Sequence, residues 1–355
     1  MTKPSPSSTP TDPGQTSQKK KLSTKQKLTL GIGALAVVAV AASVTAGAVA
    51  SRGSDHEKQT ASSTSKVDLT SANAKHRVRL DKVPEAVKEL KSSGFHPVHA
   101  GQLTVAVSPS SPPLAQLASD DNKSIIGEEA DIAQLVADGL GLKLKLVNVA
   151  WADWPLGVQS GKYDIVSSNV TVTDERKKLF DFASTRQDLL GFLVSSDSKI
   201  KSIKSAKDIS GLKLSVGSGT NQEKVLLDWN KTLKKQGKKP AKLVYYDDTA
   251  AASLAIASHR IDGYLGPNPS AQYQVTTGDG KFKVVGTIQG GWPATAPIAV
   301  GTDKGNGLIK PIHSVIVSAQ KDGSYTKLLK RWGLQKEAIG TSQINPKGIP
   351  ASVGK

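Results

Sequence analysis

The sequence predicts an α/β protein whose two lobes face each other across a cleft, and three observations carry this. From about Gly101 onward, apolar strand-like runs alternate with helical periodicities, the pattern of βαβ units and parallel-sheet α/β domains. The alternation runs twice, with apolar connectors between the two series. A chain of 355 residues is also long enough to bury two cores.

In chain order, residues 1–27 are rich in Ser, Thr, Pro and Lys and are expected to form a basic, disordered cytoplasmic tail. The stretch "LTLGIGALAVVAVAASVTAGAVA" (28–50) carries no charge. As a helix it would measure about 34 Å, enough to cross a hydrocarbon core of about 30 Å. Lys19, Lys20, Lys21, Lys25 and Lys27 precede it, which keeps the N-terminus inside and sends the bulk of the chain out. The same stretch also fits a signal peptide, since Ala48, Val49 and Ala50 offer a small-residue cleavage site. As anchor or signal, it exports the rest of the chain. Residues 51–97 read as a polar linker and a lead-in helix, "VPEAVKELKSSG", closed by Gly94.

The first series begins with the strand "LTVAV" (103–107). A helix comes next, with Ile132, Leu135, Val136 and Leu140 on one face, ending at Gly139 or Gly141. "LKLKLVNV" (142–149) alternates as a strand, and a short helix near 155–160 leads into the strand "DIVSS". The second series reads strand "LKLSV", helix "TNQEKVLLDWNKTLKKQG" with Leu226, Trp229 and Leu233 on one face, strand "KLVYY", helix "DTAAASLAIASHR" and strand "IDGYL". "FKVVGTI" and "PIAVG" resume extended structure, and two helices split at Gly323 close the chain.

The formal charge of +17 would suit an anionic partner. Nucleic acid is not expected, because no nucleic-acid motif or aromatic-studded basic stripe is present. The lysines are scattered along helix faces, as in "KTLKKQGKKPAK", and read as a solvated surface consistent with an anionic membrane or cell wall nearby. The absence of cysteine excludes disulfides, thiolate metal sites, a thiol nucleophile and a lipid-modified cysteine. The six histidines lack metal-ligand spacing and are expected at the surface, so neither a metal nor a cofactor is anticipated.

Chemistry concentrates after the strand "YDIVSS". There "SSNVTVTDERKKLFDFA" delivers hydroxyls, an amide and Arg176 to the C-terminal edge of a sheet, where α/β proteins bind ligands. A guanidinium fork at that edge suits a carboxylate, although a surface arginine at a helix start is the plainer alternative. "VGSGTNQE" (216–223) is either a tight turn capped by Thr220 or an anion contact at a helix N-terminus. It matches neither a P-loop nor a dinucleotide fingerprint. Trp151 and Trp154 serve a core or a ligand platform equally well. No serine elbow or nucleophile–histidine pair is evident, and Asp131, Asp153, Asp164, Asp174, Asp181, Asp247, Asp248 and Asp262 are dispersed where capping is the ordinary role. An enzyme is not expected.

Residues 127–183, "GEEADIAQLVADGLGLKLKLVNVAWADWPLGVQSGKYDIVSSNVTVTDERKKLFDFA", resemble the bacterial extracellular solute-binding proteins of family 3, the polar amino-acid receptors of ABC importers. The resemblance continues through "DISGLKLSVGSGTNQE", residues 254–263 and "DGSYTKLLKRWGL", covering roughly 100–335. It implies a two-lobed periplasmic-binding-protein-like (type II) clamp with two hinge crossovers. Lobe 1 would comprise 98–190 and a return at 290–340, lobe 2 would span 191–289, and 341–355 would form a tail. It further implies that Arg176 grips a ligand α-carboxylate, assisted by Thr171, Thr220 and Asn221. Ser168 and Asn169 would hold the α-ammonium, Trp151 would stack on the ligand, and Gly217 and Gln222 would line the lobe 2 side.

Two departures stand out. Ser111 replaces a frequent aromatic, and Pro267, followed by Asn268, stands where an Asp usually pairs with the ammonium. Proline offers neither charge nor N–H. The amine must then be absent, blocked or quaternary, or be held by carbonyls near Gly266, by Asn268, or by the faces of Trp151 and Trp154. The expected function is the monomeric, extracytoplasmic substrate-binding component of an ABC importer, membrane-tethered or secreted. It would deliver an amino acid or related small carboxylate to permease subunits by hinge closure. A sensory or scavenging receptor without a transporter, and a dehydratase-type enzyme on the same fold, are the alternatives.

Overall fold

The computed structural model describes residues 67–110, 112–246 and 249–350, all within one compact unit running from Thr64 to Lys355. The expected cytoplasmic tail, the membrane helix or signal, Ser111, Asp247 and Asp248 lie outside the described residues. Among the described residues no helix is long and apolar enough to cross a membrane.

Helix α1 (Pro84–Ser92) leads into strand β1 (Gln102–Val107). The short strands β2 (Gln116–Leu117) and β3 (Ile125–Ile126) precede α2 (Glu128–Leu140), β4 (Lys143–Asn148), α3 (Trp154–Gln159), β5 (Ile165–Thr171) and β6 (Phe180–Gln187). Next come β7 (Leu189–Ser195), β8 (Lys213–Val216), α4 (Asn221–Lys235), β9 (Lys242–Tyr245) and α5 (Thr249–Ala257). The chain then forms β10 (Gly263–Pro267), α6 (Asn268–Thr277) and β11 (Phe282–Gln289). It closes with β12 (Pro297–Asp303), α7 (Ile309–Asp322) and α8 (Ser324–Trp332).

Two five-stranded sheets result, ordered β4-β1-β5-β12-β6 and β11-β7-β10-β8-β9. The chain leaves the first sheet through Asp188, between β6 and β7, and returns through residues 290–296, between β11 and β12. These are the two crossovers of a two-lobed clamp.

The sheets are mixed, which corrects the expectation of parallel ones. β12 runs antiparallel to both β5 and β6, and β7 antiparallel to both β10 and β11. The supposed connectors are themselves strands. Helix α6 was also not anticipated: "NPSAQYQVTT" buries only Ser270 and Ala271, so it shows no apolar stripe.

Helix α2 shows how local sequence sets an element. Gly127 precedes it at φ +130°, and a Cβ there would lie 2.3 Å from the Leu114 carbonyl oxygen, so a side chain does not fit. Acidic Glu128, Glu129 and Asp131 occupy the first turn, and Gly141 at φ +71° ends the helix in the left-handed region. Leu135 and Val136 of α2 pack with Ile312, Val315 and Leu328 on one face of the first sheet, while Trp154, Phe180 and Phe182 fill the other. In the second lobe, Leu226, Trp229 and Leu233 of α4 pack against Phe192 and Leu265.

Two of the dispersed aspartates are buried. Asp131 is fully buried, 3.4 Å from both Arg77 Nε and Arg331 Nε, and accepts a hydrogen bond from Trp332 Nε1 at 2.9 Å. Asp164 accepts from the N–H groups of Val98 and Thr104. One histidine also departs from expectation: His313 is half-buried on α7, and burial lowers its pKa.

Candidate functional site

The C-terminal ends of β5 and β8 deliver the side chains that the sequence singled out. After β5, the chain turns so that the Thr173 hydroxyl accepts from the Arg176 N–H at 3.1 Å, starting a single 3-10 turn at Arg176–Lys178. After β8, Thr220 caps α4: its Oγ1 accepts from the Glu223 N–H at 3.2 Å and donates to the Gly217 carbonyl at 2.7 Å. Gly217 and Gly219 thus lie in a tight turn, Gly219 at φ +70°.

Arg176 spans the cleft. Its Nη1 donates to the Thr171 carbonyl at 2.7 Å in lobe 1, and its Nη2 donates to the Gly219 carbonyl at 3.3 Å in lobe 2. The guanidinium also lies over the rings of Trp151 and Trp154, 5.4 and 5.8 Å from their centroids. It is half-buried rather than openly exposed. Burial lowers its pKa to about 10 against the opposing charges of Asp188 and Glu175, so it stays cationic at neutral pH. Two further lobe 2 residues, Thr249 and Lys224, reach across. Thr249 Oγ1 donates to the Ser110 carbonyl at 2.9 Å, and Lys224 Nζ lies 3.7 Å from Glu175 and 2.5 Å from the Pro350 carbonyl. The cleft is therefore closed.

Beneath Arg176 lies a residue that sequence reasoning missed. Asp188, 1 % exposed, sits in the first crossover. Its Oδ2 accepts from Thr171 Oγ1 and from Asn221 Nδ2, each at 2.7 Å. Asn221 Nδ2 also donates to the Gly290 carbonyl of the second crossover at 2.8 Å. Both lobes and both crossovers thus meet at one carboxylate. Burial raises the Asp188 pKa, while the Thr171 hydrogen bond and the Arg186 charge oppose the shift.

Trp151, Thr171, Arg176, Gly217, Thr220 and Asn221 are therefore brought together. Gln222 follows in α4, 5 % exposed, with its buried Oε1 lacking a hydrogen-bond partner. Ser168 Oγ accepts from the Ser108 N–H at 2.8 Å. Asn169 holds φ +52°; its N–H donates to Glu129 Oε1 at 2.6 Å and its Oδ1 accepts from Arg186 Nη2 at 2.5 Å. Asn268 is turned elsewhere: its Oδ1 accepts from Thr287 Oγ1 at 3.3 Å and Gln272 Nε2 at 3.4 Å.

Arg186 is itself a buried hub, 3.2 Å from Glu128, 3.0 Å from Glu129 and 2.7 Å from Glu337. Three carboxylates around one guanidinium are costly to bury fully ionised. Burial raises Glu128 to about 8 and Glu337 to about 7, with the Arg186 charge opposing both shifts. The cluster "TRQDLL" was the available signal, two opposite charges set directly before an apolar run. Among the described residues no group of His, Cys, Asp and Glu is placed to hold a metal ion.

Two α/β lobes joined by two crossovers, closed over an arginine at facing sheet edges, define a solute-binding clamp. The profile of the bacterial extracellular solute-binding proteins, family 3, matches residues 103–335, and the chain belongs to that family. It is 31% identical over 235 residues to the L-cystine-binding protein TcyJ of Escherichia coli K12, covering 65% of this chain and 82% of that one. It is 22% identical to the arginine-binding protein ArgT of Corynebacterium glutamicum, covering 74% of this chain and 84% of that one. Among solved structures, an ancestral arginine-binding protein bound to arginine is 28% identical with a TM-score of 0.57, covering 65% of this chain and 98% of that one. The ancestral amino acid-binding protein AncCDT-1, a precursor of cyclohexadienyl dehydratase, matches with the same TM-score and identity, covering 65% of this chain and 95% of that one.

Proposed function

We propose that this protein is the substrate-binding component of an ABC importer, capturing an amino acid between its lobes and delivering it to permease subunits. The observation that carries this reading is Arg176, which reaches from the end of β5 to Gly219 at the facing edge of lobe 2. A ligand carboxylate that replaced the two carbonyls would bridge the lobes in the same way and favour the closed form. Relatives named for cystine and arginine support an amino acid as the ligand. In this reading the protein has no catalytic role and acts as a monomer. The lobes divide at the crossovers, at Asp188 rather than after residue 190 and again at 290–296, and residues 28–50 tether or export the folded part at the outer face of the membrane.

A thermal-shift screen of the Thr64–Lys355 unit against the common amino acids and cystine tests it. A ligand at about 100 times its dissociation constant stabilises the folded state by about 2.7 kcal/mol. A clear rise with one or a few amino acids supports the reading. No rise with any of them overturns it.

A further inference from the structure

The unanswered question is what holds the ligand's amine. Three holders considered from the sequence do not fit the geometry. Asn268 Oδ1 already accepts from Gln272 and Thr287. The faces of Trp151 and Trp154 carry the guanidinium of Arg176. Gly266 lies in the ladder opposite Gly191, under the Tyr264 phenol, where even a Cβ would fall 2.0 Å from the Tyr264 oxygen.

The donor and acceptor inventory around Asp188 points the other way. A threonine hydroxyl has one hydrogen, and that of Thr171 is committed to Asp188 Oδ2. A side-chain amide has two, and Asn221 Nδ2 gives to Asp188 Oδ2 and the Gly290 carbonyl. Both neighbours are acceptors, which fixes the orientation of the amide. Neither Thr171 nor Asn221 therefore has a side-chain hydrogen left for a ligand carboxylate, the role the sequence suggested for them. What they still offer is lone pairs, on Thr171 Oγ1 and Asn221 Oδ1. Beside them, Asp188 Oδ1 is buried with no hydrogen-bond partner.

The charges of Arg186 and Arg176 act on Asp188, but neither donates a hydrogen bond to Oδ1, and a buried carboxylate oxygen without a donor is costly. Its position suits a cationic donor. The Thr171 carbonyl faces Arg176 while the Thr171 hydroxyl faces Asp188, so the cation and the carboxylate flank a single residue. The antiparallel partner of Pro267 is Leu190, two residues beyond Asp188, so the carboxylate lies beside the uncharged end of β10.

We infer that Asp188, together with the lone pairs of Thr171 and Asn221, receives the ammonium group of the ligand. The ligand is then a zwitterion, with its carboxylate on Arg176 and its amine on the hinge carboxylate. Amine recognition is thereby placed on the crossover that moves when the lobes close. This inference rests on the proposed amino-acid-binding function.

The test takes the amino acid giving the largest shift in the thermal screen, and its des-amino analogue, on wild-type Thr64–Lys355 and on Asp188→Asn. Calorimetry should give a wild-type preference for the amino acid over the analogue of about 30-fold or more, lost in Asp188→Asn. A purely structural hinge role would weaken both ligands equally and leave the ratio unchanged, which overturns the inference. Should Asp188→Asn fail to fold, Thr171→Val serves instead and should lower the same ratio, with Thr171→Ser restoring it; an unchanged ratio in Thr171→Val again overturns the inference. Wild-type protein that binds the analogue as tightly as the amino acid also overturns it. A screen with no binder overturns the proposed function as well, which separates the two failures.

Discussion

Arg176 and Gly219 meet across the cleft, guanidinium to backbone carbonyl at 3.3 Å, with the Trp151 ring 5.4 Å from the same guanidinium. The residue expected to bind the ligand is thus also the one that joins the lobes. Replacing it should separate binding from folding, because Arg176 packs at the cleft and belongs to neither hydrophobic core. Arg176→Ala should cost about 2–5 kcal/mol of ligand affinity. Its melting temperature should stay within a few degrees of wild type, roughly 1 kcal/mol in a domain of this size. Calorimetry and a melting curve on the same sample check both.

Trp151 supports that guanidinium from one side, with its Nε1 3.8 Å from where a Cβ on Gly219 would sit. Trp151→Ala should weaken binding by about 0.5–2 kcal/mol, less than loss of the cation itself. A loss as large as that of Arg176→Ala would mean that the indole contacts the ligand directly.

The Arg186 hub gives the fold a pH dependence of definite sign. Glu128 and Glu337 face Arg186, Glu129 and each other, with the Tyr325 hydroxyl and Asp188 close by. Their folded-state pKa values, about 8 and about 7, lie above the ordinary value of 4.5. The folded state therefore holds protons that the unfolded chain releases. Stability from these groups is full below the unfolded value and falls as pH rises through the folded ones. The melting temperature should drop between about pH 4.5 and about pH 8, and Glu128→Gln should flatten that slope. An unchanged slope in Glu128→Gln would assign the effect to other groups.

Gly127→Ala tests the entry to α2. The φ of +130° and the Leu114 oxygen 2.3 Å from the added Cβ leave no room without a backbone shift. The variant should lose at least roughly 2 kcal/mol in denaturant unfolding, from strain and overpacking together.

Much of this architecture was legible in the sequence because it is local. The buried stripe Leu226–Trp229–Leu233, the Thr220 cap and the glycine that ends α2 all follow from spacings within a few residues. Of the strands that flank the crossovers, β11 and β12 were legible as extended runs, whereas β6 and β7 were not. Arg186 stands between the polar Thr185 and Gln187 in β6, and its burial becomes intelligible only with Glu128 and Glu337, 58 and 151 residues away. The role of Asp188 is hidden for the same reason, since its partner Asn221 lies 33 residues on. Hydrogen-bond direction at Thr171 was likewise out of reach, because only tertiary contact decides whether a hydroxyl gives or receives.

The central claim, a clamp that closes on the carboxylate of an amino acid through Arg176, is tested most directly by one titration. The best-binding amino acid and its carboxamide are titrated side by side into the wild-type unit. The account predicts saturable one-to-one binding of the acid, and affinity for the carboxamide weaker by about 30-fold or more. Equal affinity for the two would contradict it.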